Sequence, residues 1–334
     1  MTMIQSSGNP ERDLGLDRPN VARMYDYFLG GGHHFSLDRE AADAVLAVAP
    51  EVASAARANR RFLHRAVRYA LACGIRQFVD LGSGIPTVGN VHDIAHRCDP
   101  SARVIYVDCD SIAVTHAEAL LTDVPTVGVV EADLRDTETV LGHAETRRLI
   151  DFTEPVAVLL VSVLHFVPGD VAPVVAAYRA AMSPGSLLVI SHASPAPATG
   201  QTDEVQHLYE DTPTPLWLRT SDEIRVLFTG LDLVAAHSDF DCQASGDEPD
   251  GGLVPVAAWR PDDDPPRNEI EDSPFLDRFL VGVGRKPRPP ARRSAEATYR
   301  TQRLPAHNSR RHSTSKQMPN RADVLPPVLA GTSR

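Results

Sequence analysis

The sequence predicts an α/β protein built on a mostly parallel β-sheet with helices on both faces. Short apolar segments alternate with helical segments through the middle of the 334-residue chain. Nearly continuous apolar strands of this kind are typical of a parallel sheet that is covered on both faces. A glycine turn follows the first apolar segment, and no clear helix separates the last two. We therefore expect a Rossmann-like sheet with an antiparallel C-terminal finish.

Three helices are predicted before the first strand. Asn20 is placed to cap the first of them, which ends at the glycine triplet 30–32, where glycine allows backbone angles that other residues avoid. Apolar residues recur at helical spacing in the third helix. The predicted helices cover residues 21–29, 37–48 and 51–72. We expect residues 1–17 to form a flexible arm and residues 18–74 to form an N-terminal helical unit.

Strands and helices then alternate through residues 75–284, which we interpret as one α/β domain. The five predicted strands cover residues 75–81, 103–107, 127–131, 156–161 and 186–191. The helices between them cover residues 90–97, 111–122 and 171–182. Two more helices and three apolar segments follow, at residues 199–209, 221–228, 231–235, 253–259 and 279–283. We expect the last apolar segments to complete the sheet in antiparallel orientation.

Charge is unevenly distributed along the chain. Residues 285–334 contain 12 Lys or Arg and two acidic residues, whereas the preceding residues contain 21 Lys or Arg and 42 acidic residues. A Pro- and Arg-rich segment with few large apolar residues buries too little surface to offset the chain entropy lost on folding, so we expect a disordered basic tail. An acidic body disfavours a nucleic-acid-binding core, because phosphate contact needs clustered Lys and Arg. Only the tail is a candidate for non-specific nucleic-acid binding.

The sequence predicts a cytoplasmic protein with no membrane partner. No apolar run approaches the roughly 20 residues that span a bilayer, and the polar first residues lack a signal-peptide pattern. The four cysteines, at positions 73, 98, 109 and 242, are scattered without the spacing of a metal site. We expect reduced thiols and no metal centre.

Polar groups follow three consecutive predicted strands. The glycine turn at residues 82–84 would let a ligand approach the backbone, beside a helix N-terminus with unpaired N–H groups. Asp108 ends the second strand, where a carboxylate can accept both hydroxyl hydrogens of a ribose. Asp133 follows the third strand, where it could accept from an adenine amino group while Leu134 packs on the ring. Because ligands of open α/β sheets bind at the carboxyl ends of strands, a nucleoside ligand explains all three features.

Several motifs, taken in order, resemble class I S-adenosylmethionine-dependent methyltransferases. These motifs are Asp80-Leu81-Gly82-Ser83-Gly84, Tyr106-Val107-Asp108, Ala132-Asp133-Leu134 and Val161-Ser162-Val163-Leu164-His165-Phe166. Further segments, at residues 18–31, 58–60 and 89–92, are similar to an actinobacterial S-adenosyl methyltransferase family formerly described as a domain of unknown function. The resemblance covers residues 18–287.

This resemblance implies S-adenosylmethionine as the cofactor. Asp108 would hold the ribose, and Asp133 with Leu134 would hold the adenine. Ser162 and Val163 would lie beneath the sulfonium, at the end of the fourth strand. The remaining cofactor residues expected from the glycine turn and its surroundings, with Gly82 and Gly84 bordering the methionine portion, are Asp80, Gly82, Ser83, Gly84 and Asp110.

The N-terminal helices are implied to form a lid over the cofactor. Tyr25, Tyr27 and Gly31 belong to the matching segment and would form that lid, so residues 18–74 are interpreted as a helical lid. Arg60, in the third helix, would reach the methionine carboxylate or Asp80. The alternative for Arg60 is an ordinary surface ion pair.

His165, just beyond the fourth strand, is the candidate for a general base. An unperturbed histidine pKa near 6.5 suits proton removal around neutrality. A histidine in a loop can equally serve as a simple hydrogen-bond donor, and that alternative stays open.

The function predicted from these residues is direct methyl transfer to an unidentified small-molecule acceptor. The donor is already activated, so the protein needs to align the acceptor, exclude water and, for a protonated acceptor, remove a proton. A second hypothesis is a non-catalytic regulator that binds S-adenosylmethionine or its demethylated product and needs no acceptor pocket. Pro86 stands where the broad methyltransferase superfamily pattern has a third glycine, and the dinucleotide fingerprint is not matched either, so an NAD enzyme is disfavoured.

Overall fold

The structure, a computed structural model, describes residues 17–86, 89–195, 200–210, 212–237, 252–261 and 275–288. Almost all of the predicted arm and of the predicted basic tail lies outside these ranges, so both expectations stay predictions. The division of the chain into arm, lid, α/β domain and tail stays a prediction as well.

Three helices precede the sheet, as predicted: α1 (Val21–Phe28), α2 (Ser36–Val48) and α3 (Val52–Ala72). The Asn20 side chain caps α1 by accepting from the backbone N–H groups of Ala22 and Arg23, at 2.8 and 3.3 Å. Arg23 forms a buried ion pair with Asp38 of α2, with its Nε 2.8 Å from Oδ2. Removing one partner of a buried ion pair typically costs about 3–5 kcal/mol, so this pair fixes α1 against α2.

One sheet contains the strands of the described residues: β1 (Gln77–Leu81), β2 (Arg103–Asp108), β3 (Val127–Glu131), β4 (Ala157–Val161), β5 (Leu187–Ala193), β6 (Asp232–Leu233), β7 (Val254–Pro255) and β8 (Phe279–Arg285). The strand order is β3-β2-β1-β4-β5-β8-β6, and β7 pairs with β8. Strands β1 to β5 pair in parallel, and β8 runs antiparallel to β5, β6 and β7. The predicted Rossmann-like sheet with an antiparallel finish is confirmed.

The remaining helices connect the strands: α4 (Val91–Cys98), α5 (Ser111–Leu121), α6 (Thr137–Gly142), α7 (Ala144–Leu149), α8 (Ala172–Ala181), α9 (Gly200–Glu210) and α10 (Ser221–Val226). Short 3-10 helices occur at Leu164–Phe166 and Leu276–Arg278. The pair α6 and α7 was not expected from the sequence. Each has only six residues, which is too short to show an apolar periodicity.

Apolar clusters cover both faces of the sheet, and a third cluster lies under the N-terminal helices. On one face, Phe62 and Tyr69 of α3 pack edge-on against the fully buried Trp259, with ring centroids 5.5 and 5.7 Å apart. The third cluster joins Met24 of α1 to Tyr209 of α9 through side chains of α2 and α3. This packing holds the N-terminal helices next to the carboxyl ends of the strands.

The predicted strand at residues 253–259 is wrong over most of its length. Only Val254 and Pro255 pair with β8, and Ala258 N–H donates to the Pro255 carbonyl, closing a turn. Proline has no N–H to donate to a sheet, which limits how far such a strand can extend. The apolar character that suggested a strand comes from burial of Val256 and Trp259 against α3 instead.

The expectation of four reduced thiols is also wrong. Cys73, which caps the C-terminus of α3, is disulfide-bonded, whereas Cys98 and Cys109 are free. In the part of the chain that the structure describes, no helix is both long and apolar enough to cross a bilayer.

Candidate functional site

The predicted cofactor residues gather around a cavity of about 490 Å³ at the carboxyl ends of β1 to β4. Twelve of the thirteen line it: Tyr25, Arg60, Asp80, Gly82, Ser83, Gly84, Asp108, Asp110, Asp133, Leu134, Ser162 and Val163. The thirteenth, Gly31, is not among the described lining residues. Parallel strands bring their carboxyl ends to one edge of a sheet, which is why spacing along the chain could predict this cluster.

The glycine turn after β1 requires glycine at two positions. Gly82 and Gly84 have φ angles of 70° and 64°, in the left-handed region that other residues rarely adopt. A Cβ on Gly82 would also lie 2.1 Å from Cγ2 of Val163, so this turn packs directly on the end of β4. The Gly82 and Ser83 N–H groups both donate to the Val107 carbonyl, at 2.8 and 3.1 Å. The turn is therefore fixed between β2 and β4.

Asp108 organises the site at the end of β2. Its Oδ2 accepts from the Gly84 N–H at 2.7 Å, and its Oδ1 accepts from the Asp110 N–H at 2.9 Å. Burial raises the pKa of Asp108, although the hydrogen bonds from Asp110 and Gly84 act in the opposite direction. Each carboxylate oxygen has a second lone pair, so a fixed Asp108 can still accept from a diol ligand.

Asp133, which follows β3, also lies on the cavity wall, but its surroundings differ from those of Asp108. Its carboxylate is partly exposed and pairs with the Arg135 guanidinium, whose Nε lies 3.0 and 2.9 Å from the two carboxylate oxygens. Hydrogen bonding to Arg135 lowers the pKa of Asp133. The Leu134 carbonyl accepts from the Tyr178 hydroxyl at 2.7 Å, and this contact fixes the buried Leu134 beneath the cavity.

Arg60 of α3 is an unpaired cation in the cavity wall. Within the described residues it forms no hydrogen bond or ion pair, its Nε is buried without a partner, and its guanidinium carbon lies 5.8 Å from the Tyr25 ring centroid. The surface ion pair considered for Arg60 is thus not seen. Burial raises the pKa of Asp80 to about 7, while the nearby charge of Arg60 lowers it and that of Asp108 raises it. The two side chains interact electrostatically but leave room for a ligand with groups of both signs.

Ser162, at the end of β4, has a φ angle of 60°, the one positive value of a non-glycine residue among those described. Such strain is uncommon and occurs mainly at functional sites. The Ser162 N–H donates to the Ser191 hydroxyl at 2.8 Å, which donates to Asn59 Oδ1 at 2.7 Å. Asn59 Nδ2 donates to the Tyr25 hydroxyl at 2.9 Å, and that hydroxyl donates to the Ala56 carbonyl at 3.1 Å. This hydrogen-bonded chain links the strained residue to the lid.

Helix α1, which is predicted to belong to a lid, lies over the glycine turn. A Cβ added to Gly84 would be 3.7 Å from the Ala22 side chain, so these two elements are almost in contact. Gly31 supports the lid without lining the cavity: its N–H donates to the Asp26 carbonyl, and a Cβ there would collide with Asp26 Oδ1. Tyr27, in contrast, bonds to Asp43 of α2 and is not a described cavity residue.

His165 does not line this cavity but a second one of about 120 Å³ next to it. Burial is the main reason that the pKa of His165 lies well below its usual value, so the ring is neutral. Its Nδ1 accepts from the Ala193 N–H at 3.3 Å, which places the ring hydrogen on Nε2, 3.5 Å from Ser162 Oγ. Since Nε2 then donates, this geometry is compatible with the hydrogen-bond donor considered above, and the general base stays a prediction.

Sequence reasoning missed several residues of the site. Asp26 is buried on the cavity wall, and its Oδ1 has no hydrogen-bond partner. Ser191 joins the chain of hydrogen bonds from a position that is fully buried in β5. The segment at residues 213–217 covers the cavity with Pro213, Thr214, Pro215 and Trp217. The Trp that follows two prolines was the one available signal, because the hydrogen-bond partner of Ser191 is distant in sequence and no pattern marks Asp26 as a cavity residue.

The cavity wall is predominantly acidic. Among the described lining residues, five carboxylates, at Asp26, Asp80, Asp108, Asp110 and Asp133, face two guanidinium groups, at Arg60 and Arg135. The Arg135 charge is already balanced by Asp133. A wall of this composition favours a ligand with net positive charge and one local negative group.

Known proteins resemble this chain over most of its length. A family model described as S-adenosyl methyltransferase matches residues 7–287. A solved candidate methyltransferase from Thermobifida fusca YX is 38% identical, with a TM-score of 0.72 over 84% of this chain and 99% of that one. A DUF574 family protein from Streptomyces avermitilis MA-4680 is 35% identical, with a TM-score of 0.70 over 82% of this chain and 100% of that one. Among curated proteins, none matches.

Proposed function

Because the chain belongs to the S-adenosyl methyltransferase family, we propose that it is an enzyme that methylates a small-molecule acceptor with S-adenosylmethionine. The observation that carries this proposal is the acid-lined cavity, which contains one unpaired guanidinium at Arg60. When bound, S-adenosylmethionine supplies a methyl group that is activated by the positive charge on its sulfur.

The charges of the cavity favour this ligand over a dinucleotide. S-adenosylmethionine carries a sulfonium, an ammonium and a carboxylate, so that it has a net positive charge and one negative group. A dinucleotide carries a pyrophosphate, which the ionised carboxylates of the wall other than the Arg135-paired Asp133 would repel. This is a second reason, independent of Pro86, to disfavour an NAD enzyme.

Each part of the cofactor has a partner of suitable chemistry on the wall. The unpaired Arg60 would hold the methionine carboxylate, and Asp80 would hold the ammonium. Asp108 would accept from the ribose hydroxyls, while Asp133 and Leu134 would contact the adenine. Burial of these partners strengthens their interactions with a charged ligand, because less water competes with them.

The protein contributes positioning and exclusion of water in this proposal. The lid helix α1 lies over the glycine turn and excludes solvent from one side of the cavity. Ser162, which is held in a strained conformation by the hydrogen-bonded chain to Tyr25, lies where the two cavities meet. Holding two reactants in a reactive geometry replaces much of the entropy loss of a bimolecular reaction, so no nucleophilic side chain is needed.

A regulator that binds S-adenosylmethionine without turnover is the alternative. It would need the first cavity but no space for an acceptor. The second cavity, which shares Tyr25, Ser162 and Phe166 with the first, favours the enzyme.

Release of S-adenosylhomocysteine tests the proposed function. The purified chain is incubated with S-adenosylmethionine and, separately, with phenols, aryl carboxylates, amines and a small-molecule cell extract. We expect acceptor-dependent release with at least one of them, and a strong loss of that release in Asp108→Asn. The Glu204→Gln variant, changed at an exposed position of α9 outside both cavities, serves as the matched control. Binding of S-adenosylmethionine without release above the protein-free rate in any mixture would overturn the enzyme in favour of the regulator.

A further inference from the structure

The second cavity adjoins the cofactor cavity at the end of β4. Its volume is about 120 Å³, and Tyr25, Ser162 and Phe166 line both spaces. A ligand in one cavity would meet a ligand in the other at Ser162 and the two residues it shares this position with. A molecule in the second cavity would therefore lie beside the predicted sulfonium position.

Apolar side chains from several elements form most of the wall of this cavity. They come from α1, α3, α9 and the segment around β8, and examples are Phe28, Ala55, Val205, Tyr209, Phe275 and Phe279. Apolar pockets with few polar groups are typical of sites for small organic ligands. The wall is therefore unsuited to a sugar or a peptide backbone, whose many polar groups would lose their hydrogen bonds to water.

The volume fits one six-membered ring. An engineered apolar cavity of about 150 Å³ in another protein binds benzene, and the present cavity is of similar size. The ring edges of Phe166 and Phe279 lie close to His165, with centroids 4.5 and 5.7 Å from that of the imidazole, and such surfaces favour an aromatic ligand.

The polar groups of the wall favour an oxygen with a lone pair. His165 is neutral with its hydrogen on Nε2, next to Ser162 Oγ. Arg278 also lines the cavity, where it donates to Thr202 Oγ1 at 3.3 Å and lies over the Phe275 ring. No carboxylate is among the described lining residues. A positively charged amine would thus lack a partner, whereas a neutral or anionic oxygen would find donors.

We infer that the second cavity is the acceptor site and that it takes a single aromatic ring bearing a phenolic or carboxylic oxygen. This inference rests on the proposed function. An oxygen lone pair forms the new bond to the methyl carbon while the sulfur–methyl bond breaks and its electron pair stays on sulfur. An ionised carboxylate becomes a neutral ester and releases no proton, whereas a phenol gives its proton to the solvent before its oxygen attacks the methyl carbon.

Two probes with the same ring and opposite charge test the inference. Benzoate and benzylammonium are titrated into the full chain saturated with S-adenosylhomocysteine, and binding is followed by ligand-detected NMR. We expect benzoate to bind and benzylammonium to bind at least about tenfold more weakly. Equal binding of the two, or preferential binding of benzylammonium, would overturn the inference.

A cavity-filling variant locates the benzoate. Val205→Phe adds a ring to the cavity wall from α9, and Glu204→Phe adds the same ring at the adjacent, exposed position. We expect Val205→Phe to lower the affinity for benzoate by at least about tenfold and Glu204→Phe to leave that affinity unchanged. Gln206→Trp, which also fills the cavity, replaces Val205→Phe if that variant does not fold. Unchanged benzoate affinity in a folded cavity-filling variant contradicts the proposed location.

Failure of this inference is distinguishable from failure of the proposed function. The cofactor product is titrated into the same variants, and its affinity should be unchanged because neither Val205 nor Glu204 lines the cofactor cavity. If the parent chain binds no S-adenosylhomocysteine, the proposed function fails. Benzoate titrated into the cofactor-free variants then still decides whether the second cavity takes an aromatic ring.

Discussion

Asp80 lies at the carboxyl end of β1 with its side chain buried beside Arg60. Burial raises the pKa of this carboxyl group to about 7, so a ligand can change its ionisation near neutral pH. A bound ammonium group stabilises the ionised form, whereas the empty site favours the neutral one. Ligand binding should therefore release a proton from Asp80.

The affinity for S-adenosylmethionine should fall as the pH drops below about 7. Below that pH, the ligand must displace a proton from Asp80, and this weakens binding by up to about tenfold per pH unit. Calorimetry between pH 5.5 and about 8.5 measures this slope. The Asp80→Asn variant should bind S-adenosylmethionine more weakly than the parent at the upper end of this pH range, and its affinity should depend less on pH. An equally steep profile in Asp80→Asn would show that another group is responsible.

The Asp80 carboxyl group also affects the stability of the ligand-free protein. This pH dependence has the opposite sign, because stability falls as the pH rises, whereas ligand affinity rises. The folded pKa of Asp80, about 7, lies above the ordinary value of 3.8, so the folded state holds the proton more tightly than the unfolded state. Its contribution to the free energy of unfolding is fully present below about pH 4 and is lost as the pH rises to about 7. Thermal unfolding of the parent and Asp80→Asn should diverge over this window, and parallel curves would contradict the assignment.

Asp108→Ala should weaken the binding of S-adenosylmethionine more than Asp133→Ala does. Asp108 is buried and accepts from the Gly84 and Asp110 N–H groups, so its removal would release the glycine turn as well as lose the proposed ribose contact. Hydrogen bonds to charged groups are worth about 1.5–3 kcal/mol each, and Asp133 is partly exposed and paired with Arg135. Calorimetry compares the two variants, with Asp108→Asn to separate loss of charge from loss of the turn. A larger effect at Asp133 would place the ribose elsewhere.

Spacing along the chain predicted residues that follow strands, but not residues that depend on distant partners. Gly82, Asp108 and Asp133 each follow a strand, so parallel pairing alone brings them together. Asp26 and Ser191 have no such signal, because their roles come from packing between α1, α3 and β5. The protonation of His165 was equally hidden, since it depends on burial and on the Ala193 N–H.

Helix α1 connects the proposed cofactor cavity to the N-terminal cluster. Tyr25 lines both cavities, and its hydroxyl is bonded to Asn59 and to the Ala56 carbonyl of α3. Its neighbours Met24 and Phe28 are buried in the N-terminal apolar cluster, and Phe28 also lines the second cavity. Loss of α1 from the body would therefore open the cavity and expose apolar surface together.

Amide hydrogens of α1 should exchange more slowly when S-adenosylmethionine is bound. If opening of α1 requires release of the ligand, then a concentration of about ten times the dissociation constant slows that opening roughly tenfold. Hydrogen-exchange mass spectrometry measures this change. Helix α7 (Ala144–Leu149), which does not line the described cavities, serves as the internal control. Equal protection of α1 and α7, or none in α1, would reduce α1 to a structural appendage.

Long amphipathic or fully apolar elements were predictable, whereas short ones were not. The three N-terminal helices begin and end within about two residues of their predicted bounds, because capping residues and glycines mark them. The helices α6 and α7 and the strand β7 depend on their surroundings. Pro255 and the contacts of Trp259 with α3 decide the path of residues 252–261, and neither is visible as a periodicity.

The order of elements along the chain determined the fold class. Alternating strands and helices require right-handed crossovers in a parallel sheet, and this limits the possible topologies. The strand order places the glycine turn of β1 between β2 and β4, so the proposed cofactor residues meet at the middle of the sheet. The second cavity could not be predicted, because α1, α3, α9 and β8 form it only after the whole domain has folded.

Titration of the full chain with S-adenosylmethionine, followed by calorimetry at about pH 8, decides whether the acid-lined cavity is a cofactor site. We expect a dissociation constant in the micromolar range, corresponding to about −8 kcal/mol, and no detectable binding of NAD at the same concentrations. A dissociation constant weaker than about 1 mM, or only about −4 kcal/mol, would contradict the proposed function. Tighter binding of NAD than of S-adenosylmethionine would contradict it equally.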